Sequence, residues 1–127
     1  MKEIVFLLLV TFSIMSYAQV DDSIVGKWSG NLEFNDTSIP LIFNIKKSDN
    51  DQLECYLDSP SQNAFNILMD KAIFSDDKFS TYLEAAGIAF SGILQDNSIE
   101  GKFIQSNMSF DMVLQKSVEK KIYFDKP

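Results

Sequence analysis

The chain has 127 residues, enough for one domain with its own core, and carries a formal charge of -7 from eleven lysines against eighteen acidic residues. It has no arginine and no histidine, which excludes imidazole acid-base chemistry, Ser/His/Asp and Cys/His nucleophile systems and arginine clamps on phosphate. The acidic balance repels a nucleic-acid backbone, so no nucleic-acid partner is expected.

The N-terminus reads as a signal peptide. Lys2 supplies the charged start, residues 4–14 are apolar but too few to span a bilayer, and Ser16-Tyr17-Ala18 places small residues at a cleavage position. Cleavage after Ala18 divides the chain into residues 1–18 as an export signal, 19–117 as the folded domain, and 118–127 as a C-terminal strand or tail. No cysteine follows the apolar run to take a lipid, so the expectation is a periplasmic or extracellular protein with no membrane insertion after cleavage.

Residues 24–34 form the first predicted strand. Trp28, Gly30, Leu32 and Phe34 fall on one face, and Lys27, Ser29, Asn31 and Glu33 on the other. Asn35-Asp36-Thr37-Ser38 turns the chain, because short polar side chains bond their own backbone there. Ile39, Leu41, Phe43 and Ile45 then alternate inward, with Pro40 at a strand start or edge. Residues 48–51 turn again into a third strand with Leu53, Cys55 and Leu57 inward, stopped by Ser59-Pro60. Residues 61–64 are an unpatterned connection, and 67–74 read as one or two short strands broken near Asp70-Lys71.

Asp76-Asp77 leads to a strand with Phe79, Thr81 and Leu83 on one face, and Gly87 opens the next, with Ile88, Phe90, Gly92 and Leu94 together. Residues 96–98 turn into 99–105, Ser106-Asn107 makes a tight reversal, and Phe110, Met112 and Leu114 continue the alternation. No helix is expected after the signal. The spacing predicts an all-β fold, a single small antiparallel up-and-down barrel or half-barrel of about eight strands. Closure is favoured because it removes unpaired edges. A short internal echo links Trp28-Ser29-Gly30-Asn31-Leu32 with Phe90-Ser91-Gly92-Ile93-Leu94.

Four places could carry function. Small or polar residues among large apolar ones inside the barrel could leave a ligand cavity, with Trp28, Gly30, Phe43, Thr81, Phe90, Gly92, Phe103 and Gln105 as its candidate lining; the alternative is that eleven phenylalanines fill it. The loop residues Asp58, Ser59 and Gln62 concentrate hydrogen-bonding groups, as either a site or a capped strand end. Asp49-Asn50-Asp51 begins like a calcium loop, but the required glycine is absent and Pro60 stands where the distal glutamate belongs, so no metal is expected. Ile93, Ile104 and Val113 face outward on three successive strands, with Ile42 and Tyr56 outward elsewhere, as a candidate partner surface.

Cys55, the lone cysteine, reads as a buried core thiol, since no base is available to activate it. No catalytic group and no cofactor are assigned. Pairing among Asp58, Glu84, Glu100 and Asp111 is the one route left to acid-base catalysis, and nothing in the spacing brings two of them together.

Gly26-Lys27-Trp28 resembles the Gly-x-Trp opening of lipocalins and of the avidin type. A longer match runs through Gly26-Lys27-Trp28-Ser29-Gly30-Asn31-Leu32, Leu41-Ile42-Phe43-Asn44-Ile45, Leu57-Asp58-Ser59-Pro60-Ser61-Gln62-Asn63-Ala64, Ala85-Ala86-Gly87, Phe90-Ser91-Gly92-Ile93-Leu94 and Ile99-Glu100-Gly101-Lys102-Phe103. In that order these stretches resemble a small lipocalin-like β-domain of secreted bacterial proteins that precedes α/β-hydrolase or serine β-lactamase-like domains. The chain departs from the pattern at Ser61, Asn63 and Asn66-Ile67-Leu68, where the family has Asp, Gly and a Gly-Ile-Pro run. No Gly-x-Ser-x-Gly elbow is present. The resemblance implies a free-standing copy of that accessory domain. The reading expected of the chain as a whole is a non-enzymatic, exported β-barrel that binds a small apolar ligand or a protein partner, or alternatively one that assists a separately encoded hydrolase.

Overall fold

A computed structural model of the chain describes residues 22–117. The expected signal peptide, residues 1–18, and the expected C-terminal strand or tail, residues 118–127, lie outside the described residues. Nine antiparallel strands form one sheet: β1 (Gly26–Phe34), β2 (Thr37–Lys47), β3 (Leu53–Ser59), β4 (Ala64–Leu68), β5 (Lys71–Ser75), β6 (Lys78–Leu83), β7 (Ile88–Gln95), β8 (Ser98–Gln105) and β9 (Met108–Lys116). The only helical pieces among the described residues are three 3-10 turns, Asp22–Ile24, Pro60–Gln62 and Glu84–Ala86.

Turn chemistry sets this succession of hairpins. Asn35 and Asp36, Asp76 and Asp77, and Ser106 and Asn107 each pair two consecutive positive φ angles. That geometry matches the right-handed twist of the flanking strands, and short polar side chains tolerate it. The two 3-10 connections end alike, on Asn63 at φ 54° and Gly87 at φ 64°. Gly87 therefore belongs to the turn, and β7 starts at Ile88.

The sheet order is β4-β3-β2-β1-β9-β8-β7-β6-β5, so β1 lies beside β9 and the two edge strands are neighbours in sequence. The sheet curls into a half-barrel that brings these edges together. Between them, the Met69 N–H donates to the Cys55 carbonyl of β3 at 2.9 Å, and the Asp70 N–H donates to the Tyr82 carbonyl of β6 at 2.8 Å. β4 and β5 run in the same direction and act as one interrupted strand, hydrogen-bonded first to one edge and then to the other. The Asp70 carboxylate adds a bond from the Glu84 N–H at 2.8 Å.

Two expectations are refined. The described residues hold nine strands, against about eight expected, because both halves of the segment broken at Asp70 are paired and the first begins at Ala64. A register shift in the β3–β4 pairing and a positive φ of 56° at Asn66 hide that strand's alternation from the sequence. Of the two expected forms, barrel and half-barrel, the sheet takes the second, because β5 pairs with β6 alone and no ladder joins it to β3. The inward faces otherwise follow the predicted alternation.

The concave face holds a core of fifteen buried apolar residues, built around Trp28, Phe43, Phe79, Phe90 and Phe103. Phe43 and Phe79 both pack against Phe90 with tilted rings, at centroid distances of 5.4 and 6.4 Å. Trp28 sits near the end where β1 begins and donates from Nε1 to the Ile24 carbonyl at 2.9 Å. Ile24 is itself fully buried, so the first 3-10 turn and the indole stop that end together. The Lys116 ammonium stands 5.5 Å from the Trp28 ring and donates to the Ser23 carbonyl. Pro40 lies where β2 runs past its last pair with β3 and has β1 as its neighbour, so its missing N–H costs no ladder bond on that side.

The most crowded point is Gly92 opposite Gly101 on β7 and β8. A Cβ on Gly101 would stand 2.1 Å from the Ser91 carbonyl oxygen and 2.6 Å from the Gly92 Cα, both backbone atoms. We predict that Gly101→Ala destabilises the fold by about 3 kcal/mol or more, because relief requires two strands to separate. Urea unfolding followed by Trp28 fluorescence measures this.

Candidate functional site

Most of the interior residues expected to line a cavity are packed into the core instead, although Phe103 and Gln105 also border space at one end. Trp28, Phe43, Phe90 and Phe103 form the aromatic centre. Thr81 is buried among them, with its hydroxyl donating to the Lys71 carbonyl at 2.7 Å. Gly30 and Gly92 give up their space to neighbouring strands, a Cβ there falling 2.6 Å from the Val113 carbonyl and 2.7 Å from the Glu100 carbonyl. Gln105 differs, because it lies exposed at the end of β8. It points to where free space remains.

That space is the mouth opposite Trp28. The β1–β2, β3–β4, β6–β7 and β8–β9 connections lie at that end, and the inward residues nearest these turns leave space beside their contacts. An open apolar groove of about 220 Å³ is lined by Leu32, Phe34, Ile39, Gln105, Ser106, Met108 and Phe110. Leu32, Ile39 and Gln105 also border an adjoining, more enclosed recess of about 80 Å³ that runs inward past Leu57, Ser59, Gln62, Ile67, Ile88 and Phe103. Phe34 and Phe110 meet edge to face at 5.8 Å and 80°, which fixes the groove wall. Phe34 remains 41 % exposed and Met108 47 %, large for side chains at the mouth of a packed body.

The loop candidates have local partners. The Asp58 carboxylate accepts from Asn44 Nδ2 at 3.1 Å and from the Asn66 N–H at 2.7 Å, joining β2, β3 and the irregular residue of β4. Ser59 is buried and donates to Gln62 Oε1 at 2.7 Å. No buried side-chain polar atom among the described residues lacks a partner.

Ile93, Ile104 and Val113 point outward and are 51, 40 and 45 % exposed. They do not form a continuous stripe. Glu100 is paired with both Ile93 and Val113 and so stands between them, while the Lys102–Asp111 ion pair, at 3.4 Å, occupies the row before Ile104. Asp58, Glu84, Glu100 and Asp111 are distributed over the β3 end, the Glu84–Ala86 turn and the outer face of β8 and β9. Among the described residues, no three Cys, Asp or Glu side chains gather in a metal-holding group.

Burial pushes the Cys55 thiol up to about 12, partly offset by its hydrogen bond with Thr81. A thiol that ionises in the unfolded chain but not in the native one makes the unfolded state bind fewer protons, so its contribution to stability falls as pH rises above its unfolded value. We expect native Cys55 to resist iodoacetamide at pH 8 and to react on unfolding. Between about pH 9 and 11 the wild type should lose stability relative to Cys55→Ala by about 1.4 kcal/mol per pH unit, read from paired urea curves.

Leu32, Ile39 and Phe110 were legible only as ordinary inward positions, and Met108 was not singled out. The signal that finds them is their place as the last inward residues before turns at one end. Asp58→Ala should lower stability by about 1–3 kcal/mol, because it strands the buried Asn44 amide and the Asn66 N–H, and Asp58→Asn should lower it less. Thermal unfolding of the two variants checks the order. Comparison with family models, with curated proteins and with solved structures gave no match, so the reading of the mouth rests on its geometry.

Proposed function

We propose that this chain is an exported, non-enzymatic binding module that takes a small apolar ligand at the open mouth of the half-barrel. The observation that carries the reading is the groove of Leu32, Phe34, Ile39, Met108 and Phe110 over a narrower recess, apolar apart from Gln105, Ser106, Ser59 and Gln62. Concave apolar surface with a few fixed polar groups is the usual form of a small-molecule site. The filled aromatic centre supports a rim-bound ligand rather than one enclosed in the barrel. A wider cleft of about 610 Å³ runs beside the β3 and β5 edges, but Asp51, Asp70 and Lys71 line it and make it less suited to an apolar guest.

A protein partner, including a separately encoded hydrolase, is the second reading. Ile73 and Tyr82 favour it, since both are exposed on the outer face and stand diagonally across the β5–β6 pair.

N-phenyl-1-naphthylamine, a neutral apolar dye, tests the first reading. It should bind saturably at one site, and Phe34→Ser with Met108→Gln should weaken it about tenfold or more, since both changes remove apolar surface from the groove. Absence of saturable binding, or unchanged affinity in the double variant, would count against a mouth site.

A further inference from the structure

The two spaces at the mouth differ in character. The open groove is walled by Leu32, Phe34, Ile39, Met108 and Phe110, with Gln105 and Ser106 as its only polar residues. The more enclosed recess holds Ser59, Gln62 and Gln105, and a larger share of its wall is polar. Polarity therefore rises inward, the reverse of what a hydrocarbon chain entering tail-first requires. No Asp, Glu or Lys lines either space.

One polar group of the recess is held in place and still has a donor to give. The Asn63 N–H closes the Pro60–Gln62 turn on the Pro60 carbonyl at 3.0 Å, and the buried Ser59 hydroxyl donates to Gln62 Oε1 at 2.7 Å. Gln62 is exposed as a residue, yet its backbone and one end of its carboxamide are fixed, and Nε2 has no acceptor among the described residues. An oriented donor beside an enclosed space suits a head group with a lone pair, because its ordering cost is already met. A carboxylate or ammonium in the recess would give up its hydration and meet no opposite charge. The recess of about 80 Å³ holds roughly two or three waters at ~30 Å³ each, room for a carbonyl or hydroxyl but not for a sugar or a phosphate. Building on the mouth site proposed above, we infer that its ligand is an uncharged single-chain amphiphile seated head-first, with a carbonyl or hydroxyl oxygen accepting from Gln62 Nε2 in the recess and the hydrocarbon arm lying in the groove.

Three nine-carbon probes, 2-nonanone, nonanoate and nonylammonium, test this by calorimetry at neutral pH. The ketone should bind about tenfold or more tightly than either ion, since only the ions lose hydration without a partner. Gln62→Leu should weaken the ketone about fivefold or more while leaving N-phenyl-1-naphthylamine bound in the groove. The infrared carbonyl stretch of the bound ketone should lie at its hydrogen-bonded frequency in the wild type and in Gln105→Leu, and move to its apolar-solvent value in Gln62→Leu. Equal affinity for the three probes or tighter binding of an ion overturns the inference and leaves an apolar mouth site intact. An unchanged ketone affinity or stretch in Gln62→Leu overturns it as well, as does binding of the dye without the ketone. Failure of the dye and of all three probes removes the mouth site itself.

Discussion

Two adjacent peptide N–H groups hold this half-barrel in its curled form. Met69 donates to β3 and Asp70 to β6, so a single step along the chain spans the two edges of the sheet. The cost of that crossing is a break in the strand, and local hydrogen bonds compensate for it. The Asp70 carboxylate takes the Glu84 N–H, and the Asp58 carboxylate takes the N–H of Asn66, the residue of β4 with reversed φ. Edge strands with free N–H and C=O groups invite pairing with other chains. Here they are short, interrupted and drawn together.

The curl decides where empty space can exist. Across the middle of the sheet Phe43, Phe79, Phe90 and Phe103 meet over the inner face, and three glycines let neighbouring strands approach closely enough for them to do so. At one end Trp28 and Ile24 continue that packing. At the other end, where four connections leave the sheet, the last inward residues touch only in part, as Phe34 and Phe110 do, and a groove remains beside them. The groove follows from the taper of the half-barrel and needs no special residue to open it.

Much of this was legible in the sequence because it is local. Period-two alternation placed Trp28, Gly30 and Leu32 inward on β1, and Phe90, Gly92 and Leu94 inward on β7, with their turns marked by Asn, Asp and Ser. Even the interruption near Asp70 was visible, as a loss of pattern. The echo between β1 and β7 also has a shared physical basis, since Gly30 and Gly92 each yield to a carbonyl of the adjacent strand. Alternation tells which face a side chain takes but not its height on a curved sheet. The mouth therefore looked like core in Leu32, Ile39 and Phe110. β4 was obscured for a different reason, because the reversed φ at Asn66 is held by an aspartate eight positions earlier. The pairing of β1 with β9 joins strands that are far apart in sequence, and no short segment records it.

The fixed direction of β1 and β9 has a consequence for how the module presents itself. The chain enters β1 at Gly26 and leaves β9 at Lys116, both on the Trp28 side of the body, while Phe34 and Met108 close the same strands at the mouth. Both points of attachment, before β1 and after β9, lie at the rear of the half-barrel. A guest entering the groove would therefore approach β1 and β9 from the end opposite those two points.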